Sequence, residues 1–420
     1  MRESIVEEFQ LKITGMKSTI VAVPLKTVEP SAVDLMGLRP RISVIIEIST
    51  DSGLTGVGES VVVSGAEISK LIVDSAKPLL LGGDPLMVER IRRKLYARFN
   101  LIHVHLQAAN WALSGIEMAL WDIVGKACKQ PLSRLWGGAY RKKVKYLGGV
   151  PHQTIPVIQA EARRLVEEGF DSLYEKVGLD PWHDLESVRA IRDAVGYDVE
   201  LRVDANQAWS IGTAVRMIKK MERYDLEFVE QPVIMYNLDG LARVRKAVSI
   251  PILSHESSWT FYDALNVIKH DAADAIQLDP KFDGGLSGFR TAAGMAEAAG
   301  MSAVCHHFSE LGISTAYSIH ATASCPAFIH ANQTGYRILS DDILEDGMLK
   351  LDKGHFNVPT GPGLGVGIDQ SKLKKYAELF EREIRGREFV EHGNVESQSP
   401  RKFLGVADEA EDYVPRASRF

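Results

Sequence analysis

Cysteine is scarce in this chain, with only Cys128, Cys305 and Cys325 among 420 residues. They are too few and too scattered for a disulfide framework or a paired-cysteine zinc site, and such usage suits a reduced, intracellular protein. Basic excess is missing as well: 49 Lys and Arg face 55 Asp and Glu, a net charge of −6. A dedicated nucleic-acid or anionic-membrane binder needs the opposite balance or a concentrated basic patch, so neither partner is expected. Long apolar runs are lacking too. Val44-Ile45-Ile46 and Leu79-Leu80-Leu81 stop at a charge or a glycine, far short of the roughly 20 residues that span a bilayer. The opening residues carry Glu3, Glu7 and Glu8 where a secretory leader would be apolar, so a cytoplasmic location is expected. Gly284-Gly285 does not have the GxGxxG spacing of a dinucleotide fingerprint.

What the chain does have is a globular balance, 45% hydrophobic and 25% charged, at a length that suits two or three domains. After an extension over 1–15, β-branched runs predict strands over 18–23 and 42–48, with Asp51-Ser52-Gly53 as the hairpin turn after the second. Residues 69–130 read as helical: Ala109, Leu113, Ile116, Ala119, Leu120 and Ile123 recur at helical spacing. A meander followed by helices predicts an α+β domain over 16–140. From Lys143 the rhythm changes. Short apolar runs at 144–148, 172–177, 199–204, 226–230, 252–256, 274–279, 301–306 and 327–330 are mostly separated by helix-like stretches such as 181–195 and 213–224. Their ends recur roughly every 23 to 27 residues, the length of a strand with its return helix, so the class is α/β. Repeated crossovers in a stretch this long favour a closed barrel over 141–349 rather than an open doubly wound sheet. A Gly- and Pro-rich stretch and a charged helix follow, with 350–385 expected to complete the first domain and 386–420 forming a tail.

Side chains at the C-terminal ends of barrel strands line one mouth. The predicted ends are Lys176, Asp204, Glu230, Glu256, Asp279 and His306, six ionisable groups on consecutive strands. Separate salt bridges to helix lysines and arginines are the bland account of Asp204, Glu230 and Glu256. Three carboxylates gathered from adjacent strands repel one another unless a cation neutralises them, and hard oxygen ligands select Mg²⁺ over zinc. Lys176 and His306 flank that trio. Removing the weakly acidic α-proton of a metal-held carboxylate takes an ion that stabilises the enediolate and a positioned base. Asp279 is placed to fix the His306 tautomer and raise its basicity.

With these residues in view, the chain resembles the mandelate racemase/muconate lactonizing branch of the enolase superfamily from about Met16 to Tyr376. The resemblance rests on Val203-Asp204-Ala205-Asn206, Val229-Glu230-Gln231-Pro232, Ser254-His255-Glu256, and Asp279 followed by Gly284-Gly285 and His306. It extends to Gly56-Val57-Gly58-Glu59, to the helix from Ala112 to Asp122 and to Pro362-Gly363-Leu364-Gly365. It implies a modified TIM (β/α)7β barrel with an N-terminal α+β capping domain. It implies one Mg²⁺ on Asp204, Glu230 and Glu256, Lys176 and His306 as bases, Asp279 as the partner of His306, and a small carboxylate substrate. A homo-oligomer is expected. Acid-sugar dehydration is the first expectation for the net reaction, with racemisation, epimerisation or cycloisomerisation as alternatives and a non-catalytic binding or scaffold role as the reading from another class.

One position departs from the family pattern. The second barrel strand often ends Lys-x-Lys, whereas here it reads Tyr174-Glu175-Lys176. Loss of the first lysine removes a cation that would depress Lys176, and Tyr174 becomes a candidate acid or substrate donor. Asn206, Glu310 and Lys281 are candidates for substrate contact or for support of the site, and Asp283, in the loop after the sixth strand, is a further candidate for contact with a polar substrate. Strand alternation predicts that His255, His307 and Cys305 point away from the mouth. The capping-domain stretch 29–37 is the expected lid and 61–64 a second covering element.

Overall fold

β-Branched residues at alternating positions build the first layer. In the computed structural model, which describes residues 11–26, 40–61, 65–99, 106–282, 284–307 and 310–386, an antiparallel meander comes first. Its strands are β1 (Ile13–Val23), β2 (Arg41–Thr50) and β3 (Thr55–Val61), in that order across the sheet. The expected lid over 29–37, Asp283 and the stretch 387–420 lie outside the described residues, as does the second covering element apart from Val61. Helices α1 (Ala66–Leu80) and α3 (Leu106–Ala127) pack on the meander, and α2 (Val88–Phe99) packs on those two helices. All six apolar residues that predicted a helix join one buried cluster there with Ile46 and Ile48 of β2.

Glycine sets how closely α3 can approach. A Cβ at Gly58 would lie 1.9 Å from the Gly115 carbonyl oxygen, and one at Gly56 would lie 2.1 Å from that of Ala119. The helix therefore touches β3 backbone to backbone, which no larger residue at these positions permits.

The barrel follows. Its strands are β5 (Gly148–Val150), β6 (Ser172–Lys176), β7 (Glu200–Asp204), β8 (Phe228–Glu230), β9 (Ile252–Ser254), β10 (Ala275–Leu278) and β11 (Ser302–Cys305), parallel neighbours in sequence order. Two expectations change in detail. The predicted first run divides: β4 (Lys143–Lys145) pairs antiparallel with His355–Asn357, and only β5 enters the parallel sheet. The predicted run at 327–330 forms no regular strand, because Pro326 and the turn around it interrupt the ladder. The chain still fills that gap. The Ala303 N–H donates to the Ala327 carbonyl and the Gln333 N–H to that of Cys305, each at 3.0 Å. On the other side the Leu147 N–H donates to the Asn332 carbonyl at 2.8 Å. The result is a modified (β/α)7β barrel.

Alternation along the strands divides the core. Phe228, Leu253, Ala275 and Val304 pack together inside the barrel. Val203, Val229, Ile252, Ile276, Ala303 and Cys305 face outward into the layer under the helices. Cys305 thus points away from the mouth, as expected.

Carboxylates of the capping layer hold it to the barrel. Glu59 of β3 accepts the N–H groups of Leu311 (2.7 Å) and Ser314 (2.9 Å) where the helix Gly312–Ala323 begins. Glu117 of α3 accepts the Leu286 N–H at 3.0 Å at the head of the helix Leu286–Ala298, and the Tyr317 hydroxyl. Asp122 takes the N–H groups of Val57 (3.0 Å) and Leu364 (2.9 Å). Unsatisfied N–H groups at a helix start favour an acceptor of negative charge, so the motif residues Glu59 and Glu117 serve as caps across the domain boundary. The helix Gln370–Leu379 then returns to β1, and Phe380 joins Ile20, Ala22, Ile42, Val44 and Ala66 in a small cluster. Among the described residues no helix is long and apolar enough to cross a membrane.

Candidate metal and proton-transfer site

Register places the acids. Lys176 pairs with Asp204 across β6 and β7, and Asp204 pairs with Glu230 across β7 and β8, so the three stand at one height. Strand β9 stops at Ser254, and a single 3-10 turn, Glu256–Ser258, carries Glu256. Gln231, the middle residue of Glu-Gln-Pro, shapes that turn: its side-chain oxygen accepts the N–H groups of His255 (2.9 Å) and Ser257 (3.2 Å). Asp279 and His306 each lie one residue past the end of their strand.

Asp204 and Glu230 converge, and Glu256 is linked to them through Asn206 and His255. Asp204, Glu230 and Glu256 are all buried. The Lys176 ammonium donates to Asp204 Oδ2 and, at 2.5 Å, to Asn206 Oδ1. Asn206 also donates its backbone N–H to Asp204 Oδ1 (2.7 Å) and its amide to Glu256 Oε1 (3.0 Å). Gln277 and Gln333, which sequence reasoning missed, donate to Glu230 at 2.9 Å and 3.0 Å. The Tyr174 hydroxyl lies 3.4 Å from Asp204 Oδ2, and its ring centre is 5.2 Å from the Lys176 ammonium.

His255 corrects an expectation. It points into the mouth in phase with the inward Leu253 two residues earlier, because β9 stops at Ser254 and the turn that follows, not strand alternation, brings in Glu256. Its Nδ1 lies 3.0 Å from Glu230 Oε1 and 3.4 Å from Glu256 Oε2, contacts too bent to count as hydrogen bonds. Asp204, Glu230 and His255 bring one ligand atom each within 4.8 Å of one another. Glu256 sits beside that group with Oε2 buried and without a hydrogen-bond partner.

Charge accounts for the protonation states. Burial alone would raise Asp204, but Lys176 and His255 hold it below the usual carboxylate range. Glu230 is pushed up by burial and by Asp204. Burial would lower Lys176, yet Asp204, Tyr174 and Glu230 keep the ammonium well above the lysine range. His255, against its own burial, is held up at about 9 by Glu256 and Glu230. Burial pushes the Tyr174 phenol well above its usual value, so it stays protonated.

His306 differs from its neighbour. Burial, and then the positive His255 whose ring centre is 4.5 Å away, lower it to about 4, leaving it neutral. Its Nδ1 is 2.9 Å from Asp279 Oδ2, and a carboxylate there can only accept, which puts the basic lone pair on Nε2. Behind this pair lies a buried ionic chain. Lys281, with no exposed surface, reaches Asp279 Oδ1 at 2.7 Å and Glu310 Oε1 at 2.8 Å. Glu310 also meets His307 Nε2 at 2.5 Å, while His307 Nδ1 accepts the Gly335 N–H at 3.1 Å. Burial would raise Glu310, but His307 and Lys281 hold it below the carboxylate range. Of the two positions left open by sequence, Glu310 and Lys281 both take the supporting one, and His307 faces Glu310 rather than the metal-side acids.

Aromatic residues complete the surroundings, and ionisable-group reasoning missed them. Phe282 lies 5.0 Å from the His306 ring, 5.6 Å from Trp111 and 5.3 Å from Trp259, centre to centre. Nothing in one sequence separates such residues from ordinary core. The indole nitrogens of Trp111 and Trp259 are buried without a hydrogen-bond partner among the described residues, a cost of about 1–3 kcal/mol each.

The donor set fits a hard divalent cation. Three buried carboxylates face two cationic groups, and Glu256 Oε2 is an orphaned acceptor.

Both parts of the chain match known families. Residues 16–137 match the mandelate racemase/muconate lactonizing enzyme N-terminal domain, and 157–372 match the enolase C-terminal domain-like family. The chain is similar to arabinonate dehydratase of Saccharolobus solfataricus, 30% identical over 83% of this chain and 94% of that one. It is 32% identical to L-Ala-D/L-Glu epimerase of Bacillus subtilis, over 85% and 97%. Its fold matches the crystal structure of 2-chloromuconate cycloisomerase from Rhodococcus opacus, with a TM-score of 0.79 and 27% identity over 87% and 99%.

Proposed function

Since the chain belongs to the mandelate racemase/muconate lactonizing enzyme family of the enolase superfamily, we propose that it passes the α-proton of a carboxylate substrate between His306 and Lys176, inverting the α-carbon. Its relatives are dehydratases, epimerases and cycloisomerases, and the chain is an enzyme of that superfamily. The observation that carries the reading is a pair of proton-transfer groups on opposed flanks. His306, held by Asp279, stands past β11 and Lys176 ends β6, with the acids of β7 to β9 between them in sheet order.

Asp204, Glu230 and Glu256 would hold one Mg²⁺, which when bound supplies stabilisation of the negative charge that develops on the substrate carboxylate. The chain's own groups do the rest. His306 Nε2 takes the proton from one face, and Asp279 holds the imidazole and stabilises the imidazolium that forms. The Lys176 ammonium gives a proton to the opposite face and is left as a neutral amine. Exchange with solvent restores both groups. Asn206 keeps Lys176 and Asp204 in register through its three contacts.

Acid-sugar dehydration is the second reading, supported by the Asp279–His306 pair and by similarity to arabinonate dehydratase. Here the protonated His306 returns its proton to a β-hydroxyl, which leaves as water. Incubation with Mg²⁺ and a panel of carboxylates in D₂O distinguishes the two: epimerisation yields an inverted, α-deuterated acid, and dehydration yields a 2-keto-3-deoxy acid. His306→Ala and Lys176→Ala should each abolish exchange at one face. Exchange that survives the double variant would refute the assignment of bases, and a scaffold without chemistry gives no exchange with any acid.

A further inference from the structure

We propose that Trp111, Trp259 and Phe282 form an aromatic wall beside His306 that selects a carboxylate whose α-substituent is flat or apolar and carries a hydrogen-bond acceptor. The proposal rests on the carboxylate chemistry above and names the substrate class for it.

Three separate elements build the wall. Trp111 comes from α3 of the capping layer, Trp259 from the turn after β9 and Phe282 from the loop after β10. Their ring centres lie 5.3–5.7 Å apart in tilted and edge-on arrangements. Asn110, next to Trp111, donates its side-chain amide to the Phe282 carbonyl at 2.7 Å, so the helix and the loop are tied together where the rings meet. Through Phe282 the rings reach the His306 imidazole, which makes the wall continuous with the proposed base.

Chemistry then selects the ligand. A polyhydroxylated chain needs a partner for nearly every oxygen it removes from water, whereas Trp111, Trp259 and Phe282 offer ring faces and edges and two indole N–H donors. A planar or apolar group stacks there and loses little solvation. Trp111 is more than nine-tenths buried, and its indole N–H, like that of Trp259, has no acceptor among the described residues. A substituent bearing a carbonyl or ether oxygen supplies what both donors lack.

The test uses the full chain with Mg²⁺ and follows tryptophan fluorescence during titration with N-acetylphenylalanine, 3-phenyllactate or gluconate. The two aryl acids are expected to bind at least about tenfold more tightly than gluconate. Trp111→Ala and Trp259→Ala should each weaken the aryl acids about fivefold or more, leaving gluconate within about twofold. Trp259→Phe, which keeps a ring and removes the donor, should weaken N-acetylphenylalanine more than 3-phenyllactate. Circular dichroism and thermal midpoints show whether each variant folds, and the wild-type preference is decisive on its own. Equal affinities, a preference for gluconate or an equal loss for all three acids overturns the proposal. Failure of the proton-transfer reading looks different: aryl acids bind selectively, yet none exchanges its α-hydrogen in D₂O.

Discussion

Lys281 sits where a single substitution tests the electrostatics of the whole His306 side. Replacing it with Met keeps the aliphatic stem and removes an ammonium that lies 2.7 Å from Asp279 and 2.8 Å from Glu310, all without exposed side-chain surface. Breaking a buried pair by deleting one partner costs about 3–5 kcal/mol, because the remaining charge is stranded. Here both carboxylates keep other donors: Asp279 retains the Lys281 N–H at 2.8 Å and His306, and Glu310 retains His307. The lower end of that range, about 3 kcal/mol, is therefore expected. With an unfolding entropy of about 2.1 cal/mol/K per residue, that loss lowers the thermal midpoint by about 3–4 °C for a chain of this length. The sign with pH is also defined. Glu310 is held below its ordinary value, so its contribution is present above the unfolded carboxylate pKa and is lost as pH falls through the folded one. Lys281 is held above its ordinary value, so its contribution is present below the unfolded lysine pKa and is lost as pH rises through the folded one. The deficit of the variant should accordingly be full near pH 7 and shrink in strong acid. Scanning calorimetry of wild type, Lys281→Met and Lys281→Met with Glu310→Gln measures it, and the second change should restore part of the loss. A single variant within about 1 °C of wild type at pH 7 would show that the ammonium is not what holds the two carboxylates in place.

Magnesium should raise the thermal midpoint by about 3 °C at a hundred times its dissociation constant, where binding adds about 2.7 kcal/mol. Glu256→Gln should abolish that rise, and an unchanged response would move the cation elsewhere. Burial pushes Glu117 up to about 7 despite the Tyr317, Trp121 and Leu286 donors around it. The unfolded carboxyl ionises first, so stability falls as pH rises from about 4.5 to about 7. Glu117→Gln should flatten that slope in a calorimetric pH series, and an equally steep slope would assign it to other groups. Gly58→Ala places a carbon 1.9 Å from the Gly115 oxygen; a loss of at least about 2 kcal/mol in urea unfolding is expected, and a neutral result would mean that α3 can lift off β3.

Much of the site is visible along the chain because parallel strands of similar length end together. Asp204 and Glu230 lie in register, so recognising two strand ends already places two carboxylates side by side. The helix at 109–123 is equally plain, since its spacing depends on nothing beyond the helix itself. Other features depend on what sits across the gap. His255 keeps the phase of the inward Leu253, and Glu256 reaches the same side only because Gln231, one residue past β8, holds the chain in a turn there. The eighth strand position is filled through scattered backbone bonds to Ala303, Cys305 and Leu147, with no alternation to announce it.

The same division explains function. Residue order and local period establish a capped (β/α) barrel and the ionisable residues at its rim, because strand, turn and helix preferences are local. The charge each of these groups carries, and which side chains lie against it, are set by distant contacts: Asp204 beside Lys176, His255 beside His306, Trp111 of the capping layer against Phe282 of the barrel. Burial and charge act through space, so those choices exist only once the barrel has closed and the capping layer has docked.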